Sequence, residues 1–126
     1  PFAMPAKFPQ RTVTVQRLAL LAAEQGSEAG IRLAHAFGRA IWAEGRDLED
    51  EATLRQIVER EGFPTAWIER TQEPAIKAAL TANTAAARAA GVFGVPTFVV
   101  DNRHLFWGQD RLELVARALA GRAWTP

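Results

Sequence analysis

The residues with chemistry to offer gather in one corner of the chain, "GVFGVPTFVV" at 91–100 and "FWGQDR" at 106–111. There a Val95–Pro96 bond stands between a glycine turn and an apolar run that reads as a strand. An X–Pro bond costs only about 0.5–1 kcal/mol to hold cis, against several for other peptides. Held cis, it would turn the Val95 N–H and C=O away from the sheet ladder. An extended peptide-like ligand could then pair with them as an added strand. Held trans, Pro96 simply opens an edge strand, and the local sequence leaves both forms open. In "WGQDR", Gly108 permits close backbone approach and Gln109 supplies amide donors and an acceptor. Asp110 reads as the cap of a final helix whose first-turn N–H groups suit a carboxylate. Its own carboxylate can face an ammonium, so a ligand with an α-amino acid end fits, although capping alone also accounts for an aspartate there.

The rest of the chain offers little else. Cysteine and tyrosine are absent, His35 and His104 are the only histidines, and Ser27 is the only serine. That excludes disulfides, thiolate metal sites and a thiol nucleophile within these 126 residues, and two histidines are too few for most zinc sites. Fifteen Lys and Arg against fourteen Asp and Glu give a net charge of +1. This balance suggests neither nucleic-acid nor membrane steering. Arg32, Arg39, Arg46, Arg55 and Arg60 read as solvated helix faces, and His35 as a surface or satisfied interior histidine. No run approaches the roughly 20 apolar residues that span a bilayer. No export signal is visible, so a soluble, cytoplasmic protein is expected.

Several elements must position the corner. "PFAMPAKFP" is an extended lead-in over 1–11, like the middle of a longer polypeptide. Helical spacing then covers 12–90. A first helix runs from Thr12 to about Gln25 and stops at Gly26. Ser27 reads as the N-cap of the next, with Glu28 in its first turn and a stripe of Ile31, Ala34, Phe37, Ile41 and Trp42. Asp50 caps a third helix that buries Leu54, Ile57 and Val58, and Gly62 closes it. Pro64 opens a short helix holding Trp67 and Ile68. Trp42 and Trp67 read as packing residues, with ligand stacking the less favoured role. An alanine-rich helix fills 73–90. From Gly91 the period changes: "PTFVV" and "RHLFWG" form a hairpin turned at Asp101–Asn102. A last amphipathic helix uses Leu112, Leu114, Val115 and Leu119.

"GVFGVPTFVV…FWGQDRLELV" resembles the C-terminal part of the 2-hydroxychromene-2-carboxylate isomerases and their relatives, the kappa-class glutathione transferases. The helices from Thr12 to Gly91 fit that family's insertion, so the resemblance covers nearly the whole chain. It implies an α/β, thioredoxin-like fold of the DsbA type, with 12–90 a helical insertion and 91–126 a C-terminal ββα part. It implies glutathione as cofactor and a small aromatic substrate. Val95 would pair through its backbone with glutathione, and Trp107, Gly108, Gln109 and Asp110 would hold the γ-glutamyl end. In the lead-in "KFPQR", Phe8, Pro9 and Arg11 become candidates for the edge of the substrate pocket, although an ordinary linker with a surface arginine is the favoured reading there. The implied reaction is cis–trans isomerisation in aromatic catabolism: glutathione thiolate adds, the opened adduct rotates, and glutathione leaves.

The family begins with a βαβ unit leading to a catalytic serine, and these residues hold neither. The polypeptide is therefore expected to continue upstream of Pro1, and no catalytic residue is assigned within it. Kappa-type transfer and DsbA-like thiol oxidation remain alternatives, the latter requiring a C-x-x-C motif upstream. A non-catalytic helical binding domain is the third. Exposed apolar positions on the first two helices could pair subunits as a homodimer, or could cover absent strands.

Overall fold

The computed structural model describes residues 2–121; Pro1 and residues 122–126, the outer ends of the expected lead-in and C-terminal part, lie outside the described residues. The elements follow the expected order. They are α1 (Val13–Ala23), α2 (Ser27–Trp42), α3 (Glu51–Arg60), α4 (Trp67–Arg70) and α5 (Pro74–Ala89), then β1 (Thr97–Val100), β2 (His104–Trp107) and α6 (Leu112–Leu119). A 3-10 turn at Gln109–Arg111 leads into α6. The chain divides into two compact units, up to Thr81 and from Ala82, with the division inside α5.

In the first unit, α1 and α2 pack at close range through small residues. A Cβ on Gly30 would stand 2.9 Å from Ala23 Cβ and 3.0 Å from the Ala19 carbonyl oxygen. This approach sets the rotation of α2, which buries Leu33, Ala36, Phe37, Ala40 and Ile41. The expected stripe is therefore displaced: Ile31 is 69% exposed, Ala34 is exposed and Trp42 is partly so. Leu18, Leu21, Leu33, Ile57 and Val58 are fully buried, each contributing roughly 1.5–3 kcal/mol.

The helix termini divide into two outcomes. Asp50 caps α3 as expected, its Oδ2 accepting from the Thr53 N–H at 2.9 Å and the Thr53 hydroxyl at 2.8 Å. Ser27 does not cap α2. The turn is made by Gly26 at φ 126°, so Ser27 is already helical and its hydroxyl makes no capping bond. Pro64 sits in the turn before α4 and not within it, its carbonyl accepting from the Trp67 N–H at 3.0 Å. Trp67 is buried against Phe63, ring centroids 5.1 Å apart.

The lead-in is tied down. The Ala3 N–H donates to the Trp42 carbonyl at 2.9 Å, and the rings of Phe2 and Phe8 lie 6.3 Å and 5.8 Å from that of Trp42. Gln10 Oε1 accepts from the Leu48 N–H at 2.8 Å while its amide nitrogen donates to the carbonyls of Arg46 and Lys7. The helix-face arginines find local partners: Arg55 bridges Glu51 and Glu69, and Arg32 lies over the Phe63 ring.

In the second unit β1 and β2 pair antiparallel, Thr97 opposite Trp107 and Val100 opposite His104. Asp101 and Asn102 take φ of 53° and 52°, the left-handed region that these two residue types tolerate best after glycine. The Arg103 N–H closes the turn on the Val100 carbonyl at 3.1 Å. α6 packs on this hairpin, with Val100 and Val115 buried. Its expected stripe is narrower than the sequence suggests, because a two-stranded sheet offers little to cover it, and Leu112 and Leu119 stay exposed.

Candidate functional site

The hairpin register builds the site. Pairing Thr97 with Trp107 brings the start of β1 beside the end of β2, and the Gly108 N–H closes on the Pro96 carbonyl at 2.9 Å. All five candidate cofactor-binding residues, Val95, Trp107, Gly108, Gln109 and Asp110, therefore line one open depression of about 380 Å³, together with Pro96 and Arg111. Small-ligand clefts run from roughly 300 to 1,000 Å³.

The Val95–Pro96 peptide is cis, as is Phe8–Pro9. Val95 is 88% exposed, and no described residue pairs with its N–H or C=O. Those groups are free for a ligand backbone. Beside them the Trp107 indole lies against the Gly94 backbone, where an added Cβ would come within 2.8 Å of Nε1. The ring of Phe93 leans on the indole at 5.2 Å.

Gly108 has φ 111° and ψ 146°, which only glycine adopts without strain. A Cβ there would collide with Asp110 Oδ1. The Asp110 carboxylate thus folds back over Gly108 and lies 3.6 Å from Arg111 Nε. This overturns the expected cap: Asp110 caps no helix, because its carboxylate points back along the chain and a 3-10 turn intervenes before α6. Its side chain is 66% exposed and free to meet a ligand cation. The N–H groups of Gln109 and Asp110 have no acceptor among the described residues. Unpaired N–H groups, an accessible carboxylate and a guanidinium suit a peptide-like ligand with a zwitterionic amino-acid end.

Arg111 and Phe93 are members of this corner that sequence reasoning missed. The signal for Arg111 was its place directly after Asp110.

Phe8, Pro9 and Arg11 belong to the first unit, and the structure does not gather them into one pocket. Phe8 packs on Trp42, whereas Arg11 lines a different depression of about 480 Å³ with Arg17, Leu54 and Gln72 among its walls. The Arg11 N–H donates to Glu49 Oε1 at 2.9 Å, and Lys7 Nζ lies 3.0 Å from Oε2. Those two contacts, the backbone donor first, hold the Glu49 carboxyl below its ordinary value. Among the described residues no group of three or more His, Asp or Glu could hold a metal ion, and no helix is long and apolar enough to cross a membrane.

The sequence model of the DsbA-like thioredoxin domain matches residues 1–120. The chain belongs to that family. This DsbA-like chain is 32% identical over 91 residues to glutathione S-transferase kappa 1 of Rattus norvegicus, and 31% identical over 91 residues to that of Homo sapiens. Each alignment takes in 67% of this chain and 40% of the relative, so the chain spans about 40% of the length of these curated relatives. A solved structure of 2-hydroxychromene-2-carboxylate isomerase superposes with a TM-score of 0.73 at 25% identity, over 96% of this chain and 58% of that one. The relatives are enzymes, and the shared fold is DsbA-like.

Proposed function

We propose that this chain supplies the glutathione-holding part of a glutathione-dependent cis–trans isomerase of 2-hydroxychromene-2-carboxylate type, acting on a small aromatic substrate in aromatic catabolism. The observation that carries the reading is the single depression joining the unpaired Val95 backbone to the accessible Asp110 carboxylate. Bound glutathione would bring a thiolate that adds reversibly to the substrate. Val95 clamps the peptide backbone of the cofactor in extended form. Asp110 receives its ammonium, the N–H groups of Gln109 and Asp110 face its carboxylate, and Gly108 keeps the backbone low enough for both. Phe8, Pro9 and Arg11 remain candidates for the substrate side.

The test is calorimetric titration of glutathione into the full protein and into Asp110→Ala. Loss of a charge-assisted contact predicts at least tenfold weaker binding. The melting temperature should barely move, because Asp110 caps nothing. Equal affinity in the variant would remove Asp110 from the site.

A second reading, kappa-type transfer, draws on the 32% identity to the rat enzyme. Turnover of an electrophilic aromatic halide without isomerisation of the chromene carboxylate would favour it.

A further inference from the structure

We infer that the depression on the first unit is a binding site for a small aromatic carboxylate, with Arg17 as the group that takes the carboxylate. The inference goes beyond the glutathione reading, because every residue lining this depression belongs to the first unit and none to the corner around Val95 and Asp110. Its centre is an arginine without a counter-charge. Arg39, Arg55, Arg60 and Arg70 each meet a carboxylate. Arg17 meets none among the described residues: its Nη1 donates to the Thr71 carbonyl at 3.4 Å, and its Nε is buried with no partner. A charge drawn out of water without a partner costs stability. The Nε–Nη2 edge is the one a carboxylate bridges with two parallel bonds. The bond to Thr71 is long, so little holds the guanidinium back when a carboxylate arrives.

The walls complete the ligand. Val13 and Thr14 also line the depression, in the first turn of α1. Their N–H groups have no acceptor among the described residues, and neither a capping side chain nor an acidic residue stands there. That end of a helix favours an anion, and Arg17 lies one turn further along the same face. Glu49 is the one acidic group on the rim. It is already matched by the Arg11 N–H at 2.9 Å and the Lys7 ammonium at 3.0 Å, so it leaves Arg17 uncompensated. Leu48 and Leu54, both buried, and Val13, 45% exposed, supply apolar surface beside these donors. A bare oxoanion would use only the donors. A flat ring carrying a carboxylate uses both halves of the wall.

The experiment follows backbone amide shifts of the full protein by NMR during titration with benzoate and with benzamide, its uncharged counterpart. Benzoate should bind about tenfold or more tightly than benzamide and should move the amides of Val13, Thr14 and Leu54. In Arg17→Gln the preference should collapse toward unity, and Arg17→Lys, which keeps the charge but not the fork, should restore only part of it. Acetate should bind more weakly than benzoate. The wild-type comparison stands even where a variant fails to fold. Shifts confined to the second unit, equal binding of benzoate and benzamide by the wild type, or a preference undiminished in Arg17→Gln would overturn the inference. Acetate binding as tightly as benzoate would overturn its aromatic half. None of these results bears on glutathione affinity, which Asp110→Ala tests separately.

Discussion

Replacing Gly108 by alanine probes the site through its backbone. At φ 111° and ψ 146° the residue occupies territory that costs an L-residue on the order of 1–3 kcal/mol. The new Cβ would also meet Asp110 Oδ1. That carboxylate is exposed and can swing aside, so the backbone sets most of the cost. Relief requires the chain to pivot at the end of β2, which breaks the 2.9 Å bond from the Gly108 N–H to the Pro96 carbonyl. A typical bond of this kind contributes about 0.5–1.5 kcal/mol. The sum is about 2–4 kcal/mol, and it falls on the segment joining Val95–Pro96 to Asp110. Urea denaturation followed by far-UV circular dichroism would read the stability loss, and glutathione titration the loss of binding. Gly62→Ala is the control: its φ is 79°, nothing lies within 4 Å of the added carbon, and Gly62 lines no depression described here. It should lower stability modestly and leave glutathione affinity unchanged. A Gly108→Ala protein that keeps both its urea midpoint and its affinity would refute the argument.

Asp50→Ala should destabilise the first unit by about 1 kcal/mol, because the Thr53 N–H loses its acceptor at the start of α3; a thermal melt measures it. The same region sets an acid limb. Glu49, through the Arg11 N–H and the Lys7 ammonium, and Asp50, through the Thr53 hydroxyl and N–H, sit below their ordinary values of 4.5 and 3.8. Their stabilisation is therefore full above those values and is lost as pH falls through the lower folded-state pKa values. Melting temperature plotted against pH should drop on the acid side of about 4, and less steeply in Asp50→Asn.

Much of the chain's punctuation can be read from the local sequence alone. Asp50, Gly62 and the Asp101–Asn102 turn mark their element ends because each acts through its own backbone neighbourhood. The candidate cofactor site was legible for a related reason. Its parts lie at the two ends of one hairpin, and the register of a short hairpin follows from its turn. The rotation of α2 was not legible. In "SEAGIRLAHAFGRAIW" the alanines let two overlapping stripes read as apolar, and only the close approach of Ala19 and Ala23 to Gly30 selects Leu33 and Ala36 over Ile31 and Ala34. Asp110 resisted for the opposite reason. Its type says helix cap, yet the positive φ at Gly108 lets the carboxylate fold back toward Arg111, and that choice depends on how β2 is anchored to Pro96. The sequence by itself determined which residues could do chemistry and that a hairpin would gather them, because turns and periodicity are local properties. Tertiary structure decided which face of each helix is buried and where the charged groups at the site point, because those follow from contacts between segments distant in the chain.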